Sequence, residues 1–419
     1  MSSEELRRVE VLARVKSKEL RLIEAATMLG ISYRQAKRLW KRYRKQGAEG
    51  LRHGNVGKPS KRAKPAKVRR KILGLVRTKY GGGNGRFGPT LAAEHLAEDD
   101  GIEIGVETLR QWMLEEGLWS RERERKPHRK RRDRRAHFGE LVQMDGSFEA
   151  WLEQRDERAC LINMVDDATS RGLGRFADEE TTWGAADTLR AWVEKYGIPR
   201  ALYVDWKNVY RPTPNARQRR EGEIPVSQFG RMCAKLGIEL IMANSPQAKG
   251  RVERSHGTHQ DRLIKKMRLK RIGNYEAANQ YLREVYFPQH NCKYAIAAAG
   301  EVDFHEAVPA GVNLDEVFSL EEERVVSADW VVQYENRWLQ IEIGQRAQVR
   351  AGAKVIVRRY RDGSLKLLYG NRMIAWRELL ARPRKVQPQV RTRRPVFTPA
   401  ADHPWKRGYR GIRVAARTQ

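Results

Sequence analysis

Three carboxylates in this chain stand where acids are poorly tolerated unless a cation joins them. Glu253 lies in Asn244-Ser245-Pro246-Gln247-Ala248-Lys249-Gly250-Arg251-Val252-Glu253-Arg254, in the first turns of a helical pattern that continues through Asp261, Leu263, Ile264 and Met267. Asp145 ends the apolar run Leu141-Val142-Gln143-Met144, and Asp205 ends another, Ala201-Leu202-Tyr203-Val204. An Asp at the tip of a buried strand projects its carboxylate at the sheet edge, where ligands gather in α/β folds. Carboxylates brought together repel one another and raise one another's pKa unless a cation compensates. Mg²⁺, hard and oxygen-seeking, suits such a set when substrate phosphate completes its shell. Read alone, Glu253 among Lys249, Arg251 and Arg254 is equally a solvated helix face; the two upstream acids give it a shared purpose.

The elements around these acids read as a mixed sheet flanked by helices. The strand of Asp145 is followed by strands at Cys160 to Val165 and Gly172 to Phe176, in a hairpin-linked meander. Thr182 to Tyr196 carries Ala185, Leu189, Trp192 and Val193 on one helical face and stops at Gly197 and Pro199. The strand of Asp205 comes next, then a polar segment from Arg211 to Pro225, a helix capped by Ser227, and a buried strand from Ile238 to Met242. Asp166 and Asp167, the rival metal acids, fall between strands and read as an Asx-type turn.

Upstream, Leu22, Ile23, Ala26 and Leu29 form an apolar stripe, Gly30 turns the chain, and Ser32 with Gln35 resembles a capping box. The following helix turns Ala36, Leu39, Trp40 and Tyr43 inward and Tyr33, Arg34, Lys37, Arg38 and Lys41 outward, a helix-turn-helix pattern with a basic recognition face. A looser copy follows: Thr90 to Ala97, a turn at Gly101 to Gly105, then Val106 to Met113, whose Thr108 and Arg110 are candidate DNA contacts. Arg121 to Arg135, including Arg129, Lys130, Arg131 and Arg132, is too dense in charge to bury itself and reads as a linker that follows phosphates.

The charge agrees. The chain has 419 residues, 83 basic against 52 acidic, for a formal charge of +31. Such a field favours nucleic acid over other partners. No apolar run is long enough to span a bilayer, and the polar start Met1-Ser2-Ser3-Glu4-Glu5 is no signal peptide. Cys160, Cys233 and Cys292 are odd in number and scattered, which fits a reducing cytosol and gives no zinc spacing. Beyond Asn313, short alternating strands from Val325 to Trp376, joined by Glu335-Asn336, Ala351-Gly352 and Asp362-Gly363, suggest a small closed β-barrel. After Arg382 the chain is Pro- and Arg-rich and reads as a basic disordered tail.

The order Asp, Asp, Glu, with QMDGS around Asp145, YVDWKNVYR around Asp205 and QFGRMCAKLGIELIMANSPQAKGRVER ending near Glu253, resembles the catalytic core of DDE transposases and retroviral-type integrases. Among these it is most similar to bacterial insertion-sequence transposases of the ISNCY group. The separations are 60 residues (205 − 145) and 48 (253 − 205), the second lengthened by the Arg211–Pro225 segment. In that group DKHS is expected where this chain has Asp205-Trp206-Lys207-Asn208, so His and Ser are replaced.

The resemblance implies a multidomain protein: a helix-turn-helix domain (1–60), a second helix-turn-helix-like domain (61–120), a basic linker (121–136), and a central α/β ribonuclease-H-like integrase core with a mixed sheet (137–300). A connector (301–324), a small β-barrel (325–381) and the tail (382–419) follow. It implies a transposase that binds terminal inverted repeats, cuts phosphodiester bonds and joins 3′ ends to target DNA. Asp145, Asp205 and Glu253 would be catalytic, holding two Mg²⁺ ions about 3.5–4 Å apart, with Mn²⁺ as a substitute. Lys249, Arg251 and Arg254 would steady phosphates. The partners implied are double-stranded DNA, both transposon ends and target, and further copies of the chain as a homo-oligomer on DNA, with no membrane; the setting implied is the bacterial cytoplasm, at the nucleoid. A DNA-binding regulator or a structural basic protein would explain the charge and leave the three acids without a role.

Overall fold

A computed structural model describes residues 1–54, 64–81, 85–121, 132–153, 158–243, 249–381 and 398–404. The expected contacts Arg129, Lys130 and Arg131, and nearly all of the expected tail, lie outside the described residues. The chain divides into two units, Met1–Glu124 and Arg125–Gln419.

The first unit is helical. α1 (Ser3–Lys16) starts on a capping box, with the Ser2 hydroxyl accepting from Glu5 N while the Glu5 carboxylate accepts from Ser2 N. α2 (Leu22–Met28) and α3 (Tyr33–Gln46) follow, and the Ser32 side chain caps α3 by accepting from Gln35 N. Leu12, Leu39 and Leu51 form the core, with Leu22, Trp40 and Tyr43 packed against it. Ile23, expected in that core, is 59% exposed; the short α2 turns Ala25 and Ala26 inward instead. The looser copy is also three helices, α4 (Ala66–Thr78), α5 (Pro89–Asp100) and α6 (Val106–Glu115).

The second unit is built on a five-stranded mixed sheet of order β3-β2-β1-β4-β5. Its strands are β1 (Val142–Glu149), β2 (Ala159–Asp166), β3 (Gly172–Ala177), β4 (Ala201–Val204) and β5 (Glu239–Met242). β1, β2 and β3 pair antiparallel, whereas β4 pairs parallel with both β1 and β5. Side chains alternate across the pleat. Cys160, Ile162 and Met164 of β2 therefore join one core with α7 (Thr182–Tyr196) and, past the short α8 (Ala216–Glu221), α9 (Gln228–Lys235). Leu161 of β2 points the other way, into a core shared with α10 (Gly250–Leu269), α11 (Tyr275–Tyr281) and α12 (Phe287–Tyr294).

Two expectations need correction. β1 does not end on Asp145: its antiparallel ladder with β2 carries it on to Glu149. The strand expected to be buried at Ile238 to Met242 is a half-exposed edge, because among the described residues nothing pairs beyond β5. The expected connector touches this unit at two points: Ile198 and Glu306 form a β-bridge, and Trp192 Nε1 donates to His305 Nε2 over 3.0 Å. α13 (Leu314–Val317) and β6 (Leu320–Val325) complete that stretch.

The remaining strands are antiparallel, as their alternation predicts. β7 (Val331–Tyr334), β8 (Arg337–Ile341) and β12 (Trp376–Leu379) form one sheet; β6, β9 (Lys354–Arg359), β10 (Leu365–Tyr369) and β11 (Arg372–Ile374) form the other. One core, including Val332, Leu339, Val357 and Leu367, lies within them. Among the described residues the strands make two sheets rather than the single closed ladder expected of a barrel. Glu335 and Asn336 both take positive φ, the backbone that a two-residue hairpin turn requires.

Candidate active site

β1 and β4 run parallel with Val142 opposite Leu202 and Gln143 opposite Tyr203. Continued by two residues, one past the end of β4, that register brings Asp205 alongside Asp145 on the same face. The structure brings both acids together, and it adds a third that the motifs do not include. Asp145, Glu180 and Asp205 offer carboxylate oxygens that all lie within 4.8 Å of one another. Glu180 arrives from the connection between β3 and α7, with its side chain only 4% exposed.

Two ammonium groups offset this charge. Lys249 Nζ donates to Asp145 Oδ1 at 2.8 Å and lies 3.8 Å from Asp205 Oδ2. Lys207 Nζ donates to Glu180 and lies 3.2 Å from Asp205 Oδ2, and the Tyr210 hydroxyl donates to Glu180 Oε1 at 2.8 Å. Burial alone would lower the Lys207 pKa; its bond to Glu180 and the fields of Glu180, Asp205 and Asp145 outweigh that and raise it. Burial pushes the neighbouring Cys160 thiol up to about 12, which makes it inert as a nucleophile.

Glu253 stands apart from the three clustered oxygens and is exposed. Its position on α10 still relates it to the site. Val252, His256, His259, Leu263 and Met267 form the buried stripe of that helix. Glu253 lies on the flank between Lys249, four residues before it, and Gln260, seven after (260 − 253). Both of those reach β1, Lys249 at Asp145 and Gln260 Nε2 at Ser147 Oγ and Glu149 Oε1, each 3.1 Å. The start of α10 is held from the sheet: Gln143 Oε1 accepts from Arg251 N at 3.3 Å and Val252 N at 3.1 Å.

The rival acids separate. Asp166 does close a turn, accepting from Thr169 N and Thr169 Oγ1, each 2.7 Å, and from Gly139 N at 3.1 Å. Asp167 does not: it is fully buried, bonded by the Arg132 guanidinium, by Gln143 Nε2 at 2.7 Å and Arg135 N at 2.8 Å, with Arg251 Nη1 3.0 Å away. Arg251 and Arg132, read as DNA contacts, thus spend their charge on Asp167, and the described end of the linker is tied to the sheet. Arg254 is exposed, with its Nε donating to Gly250 O.

His256 is a feature the motifs did not single out. Its side chain is 8% exposed, neither ring nitrogen has a hydrogen-bond partner, and Nε2 stops 3.9 Å from Asp145 Oδ2. Burial pushes its pKa down to about 4. No sequence pattern marks Glu180 or His256, because their partners come from distant segments; Lys207 lies in the motif around Asp205, but nothing local shows that it also bonds Glu180.

In the first unit, Tyr33, Arg34, Lys37, Arg38 and Lys41 are all exposed along α3, and Lys37 Nζ sits 4.6 Å from the centre of the Tyr33 ring. Thr108 is exposed on α6, while Arg110 pairs with Glu107 on its own helix.

A helix-turn-helix domain family model matches residues 7–64. The chain is 36% identical over 379 residues to a putative transposase, y4bF, of Sinorhizobium fredii (strain NBRC 101917 / NGR234), covering 90% of this chain and 81% of that protein. It is 28% identical over 425 residues to the transposase for insertion sequence IS1202 of Streptococcus pneumoniae, covering 91% and 89% respectively. Among solved structures, a simian T-cell lymphotropic virus intasome matches at 12% identity and a TM-score of 0.31, covering 69% of this chain and 94% of that one. The HTLV-2 integrase catalytic core domain, solved with magnesium, matches at 15% and 0.27, covering 35% and 83%.

Proposed function

The chain belongs to the transposases, and from that premise we propose that it is a DDE-type insertion-sequence enzyme that binds the terminal inverted repeats of its element, cleaves phosphodiester bonds there and joins the freed 3′ ends to target DNA. The observation that carries the reading is that Asp145 and Asp205 offer carboxylate oxygens within 4.8 Å of one another.

The donor set fits Mg²⁺. Clustered carboxylate oxygens are its preferred ligands, and these need more positive charge than two lysines supply once substrate phosphate arrives. Asp145 and Asp205 would hold the ions, with Glu253 on the flank of α10 closing the set and Mn²⁺ serving as a substitute. Bound divalent ions would supply Lewis-acid stabilisation of the attacking and leaving oxygens. Lys249, already at Asp145, is placed to bond a non-bridging phosphate oxygen as the scissile bond is seated. Arg254, exposed one residue beyond Glu253, would hold the flanking backbone. The exposed face of α3 would read the element's ends in the major groove, with phosphate contacts from α6 through Thr108. Several copies of the chain would assemble on the DNA to bring two ends together.

The test is a labelled duplex carrying the element's own end, incubated with the protein and supercoiled plasmid in Mg²⁺. The reading expects a nick at the element's boundary and a covalent end–plasmid product, both abolished by chelation. Metal-independent cutting, or none, would overturn it.

A further inference from the structure

We propose that the cation site here is a mixed oxygen–nitrogen site, in which Glu180 joins Asp145 and Asp205 as a ligand and His256 reaches a cation that it shares with Asp145. This rests on the reading that Asp145 and Asp205 hold a divalent ion.

Glu180 has the less obvious place. It precedes α7, where an acid would ordinarily serve the helix N-terminus, but the Thr181 side chain already caps that helix by accepting from Gly184 N. Glu180 turns away instead, towards Lys207, Tyr210 and the two aspartates. Room for it is made by Gly146, the residue after Asp145. A Cβ there would fall inside contact distance of Glu180 Oε2 and lie 2.7 Å from Cys160 Sγ. A carboxylate buried beside two others, in a space opened by a missing side chain, is positioned for what those others bind.

His256 supplies the independent observation. Its ring is buried on the stripe of α10 that packs against the sheet, with both nitrogens unpartnered and Nε2 3.9 Å from Asp145 Oδ2. A buried imidazole without a hydrogen bond is costly unless its lone pair has another use. Two coordination bonds of about 2.1 Å span slightly over 4 Å, so the 3.9 Å gap between Nε2 and Asp145 Oδ2 can be bridged by one ion. Gln143 pins the first turn of the same helix, so the imidazole is held in place rather than carried on a loop.

The chemistry has a consequence that a pure carboxylate site lacks. Imidazole nitrogen favours Mn²⁺ over Mg²⁺, whereas carboxylate serves both. Lys207 competes for the same oxygens, so removing it should tighten cation binding.

The experiment is calorimetric titration of the full chain, without DNA, with Mn²⁺ and separately with Mg²⁺. Wild type is compared with Asp145→Asn, Glu180→Gln, His256→Ala and Lys207→Met, each checked for folding by circular dichroism. Asp145→Asn should abolish binding of both ions. Glu180→Gln should weaken both by about tenfold or more, and His256→Ala should weaken Mn²⁺ by about tenfold while changing Mg²⁺ far less. Lys207→Met should strengthen both. If Glu180→Gln does not fold, Gly146→Ala, which pushes the carboxylate aside, reads the same quantity. Wild-type titrations for Glu180→Gln and His256→Ala, with binding lost in Asp145→Asn, would overturn the proposal and leave the underlying reading standing; an unchanged titration in one of them removes that residue from the ligand set. Wild-type binding by Asp145→Asn would overturn the reading itself.

Discussion

Gln143 Nε2 donates to Asp167 Oδ1 across 2.7 Å, while the other end of the same amide accepts from the first turn of α10. One buried side chain, two residues before Asp145, thus ties the acid-bearing strand to the helix that carries Lys249 at its cap, Glu253 and His256.

Replacing Gln143 by Leu keeps the volume and removes both ends of that tie. It should destabilise the second unit by about 1–3 kcal/mol, the usual result of leaving buried polar groups unsatisfied. Strand cleavage should fall further than end binding does, because α10 moves while α3 is untouched. Thermal melts beside gel-shift and cleavage rates decide it; equal losses in binding and cleavage would contradict the positioning role.

Asp167→Ala removes the counter-charge of Arg132 and Arg251. Breaking a buried pair leaves an uncompensated cation, and the loss should be on the order of 3–5 kcal/mol. Arg254→Ala, on an exposed residue of the same helix, should change stability by well under about 1 kcal/mol. Comparable melting temperatures for the two variants would show that the Asp167 cluster is not structural.

The basic face of α3 should supply end specificity. Arg34→Ala with Lys37→Ala should weaken binding to the element's end more than binding to random DNA at one fixed salt concentration. An equal loss on both would restrict these residues to phosphate contacts.

Acid should destabilise the α10–α12 core. Burial holds His290 down at about 4 and His259 well below its usual value, so the folded state refuses protons that the unfolded chain accepts. The unfolded state binds more protons below about 6.5, so stability rises with pH in that window and is lost as pH falls from about 6.5 towards about 4. For His290 the full effect is on the order of 3 kcal/mol. His290→Leu should flatten the melting-temperature profile between about pH 7 and 5; an unchanged slope would place the titration elsewhere.

What the sequence disclosed follows from which forces are local. α7 was legible to its bounds because its apolar period and its stop at Gly197 lie within one short stretch. Asp145 and Asp205 were legible because each follows a buried run. That β1 continues past Asp145 was not, since pairing with Asn163 through Ala159 of β2 decides it. Glu180 is one of two adjacent glutamates before a helix, and only the fold turns its carboxylate to Asp205. His256 resembles any histidine on an inward stripe until the strand beneath it is known. Arg251 looked free for phosphate because its partner, Asp167, lies 84 residues away (251 − 167).

The most direct measurement is strand cleavage of DNA bearing the element's end, in Mg²⁺, by wild type, Asp205→Asn, Glu253→Gln and the surface control Glu239→Gln. Each substitution keeps shape and removes one charge, so folding and end binding should persist. The account predicts cleavage and joining lost together in the Asp205 and Glu253 variants and retained in Glu239→Gln, because one metal-assisted site serves both steps. Near-normal cleavage by Asp205→Asn would contradict the assignment of Asp205, and near-normal cleavage by Glu253→Gln would remove the helical acid from the site.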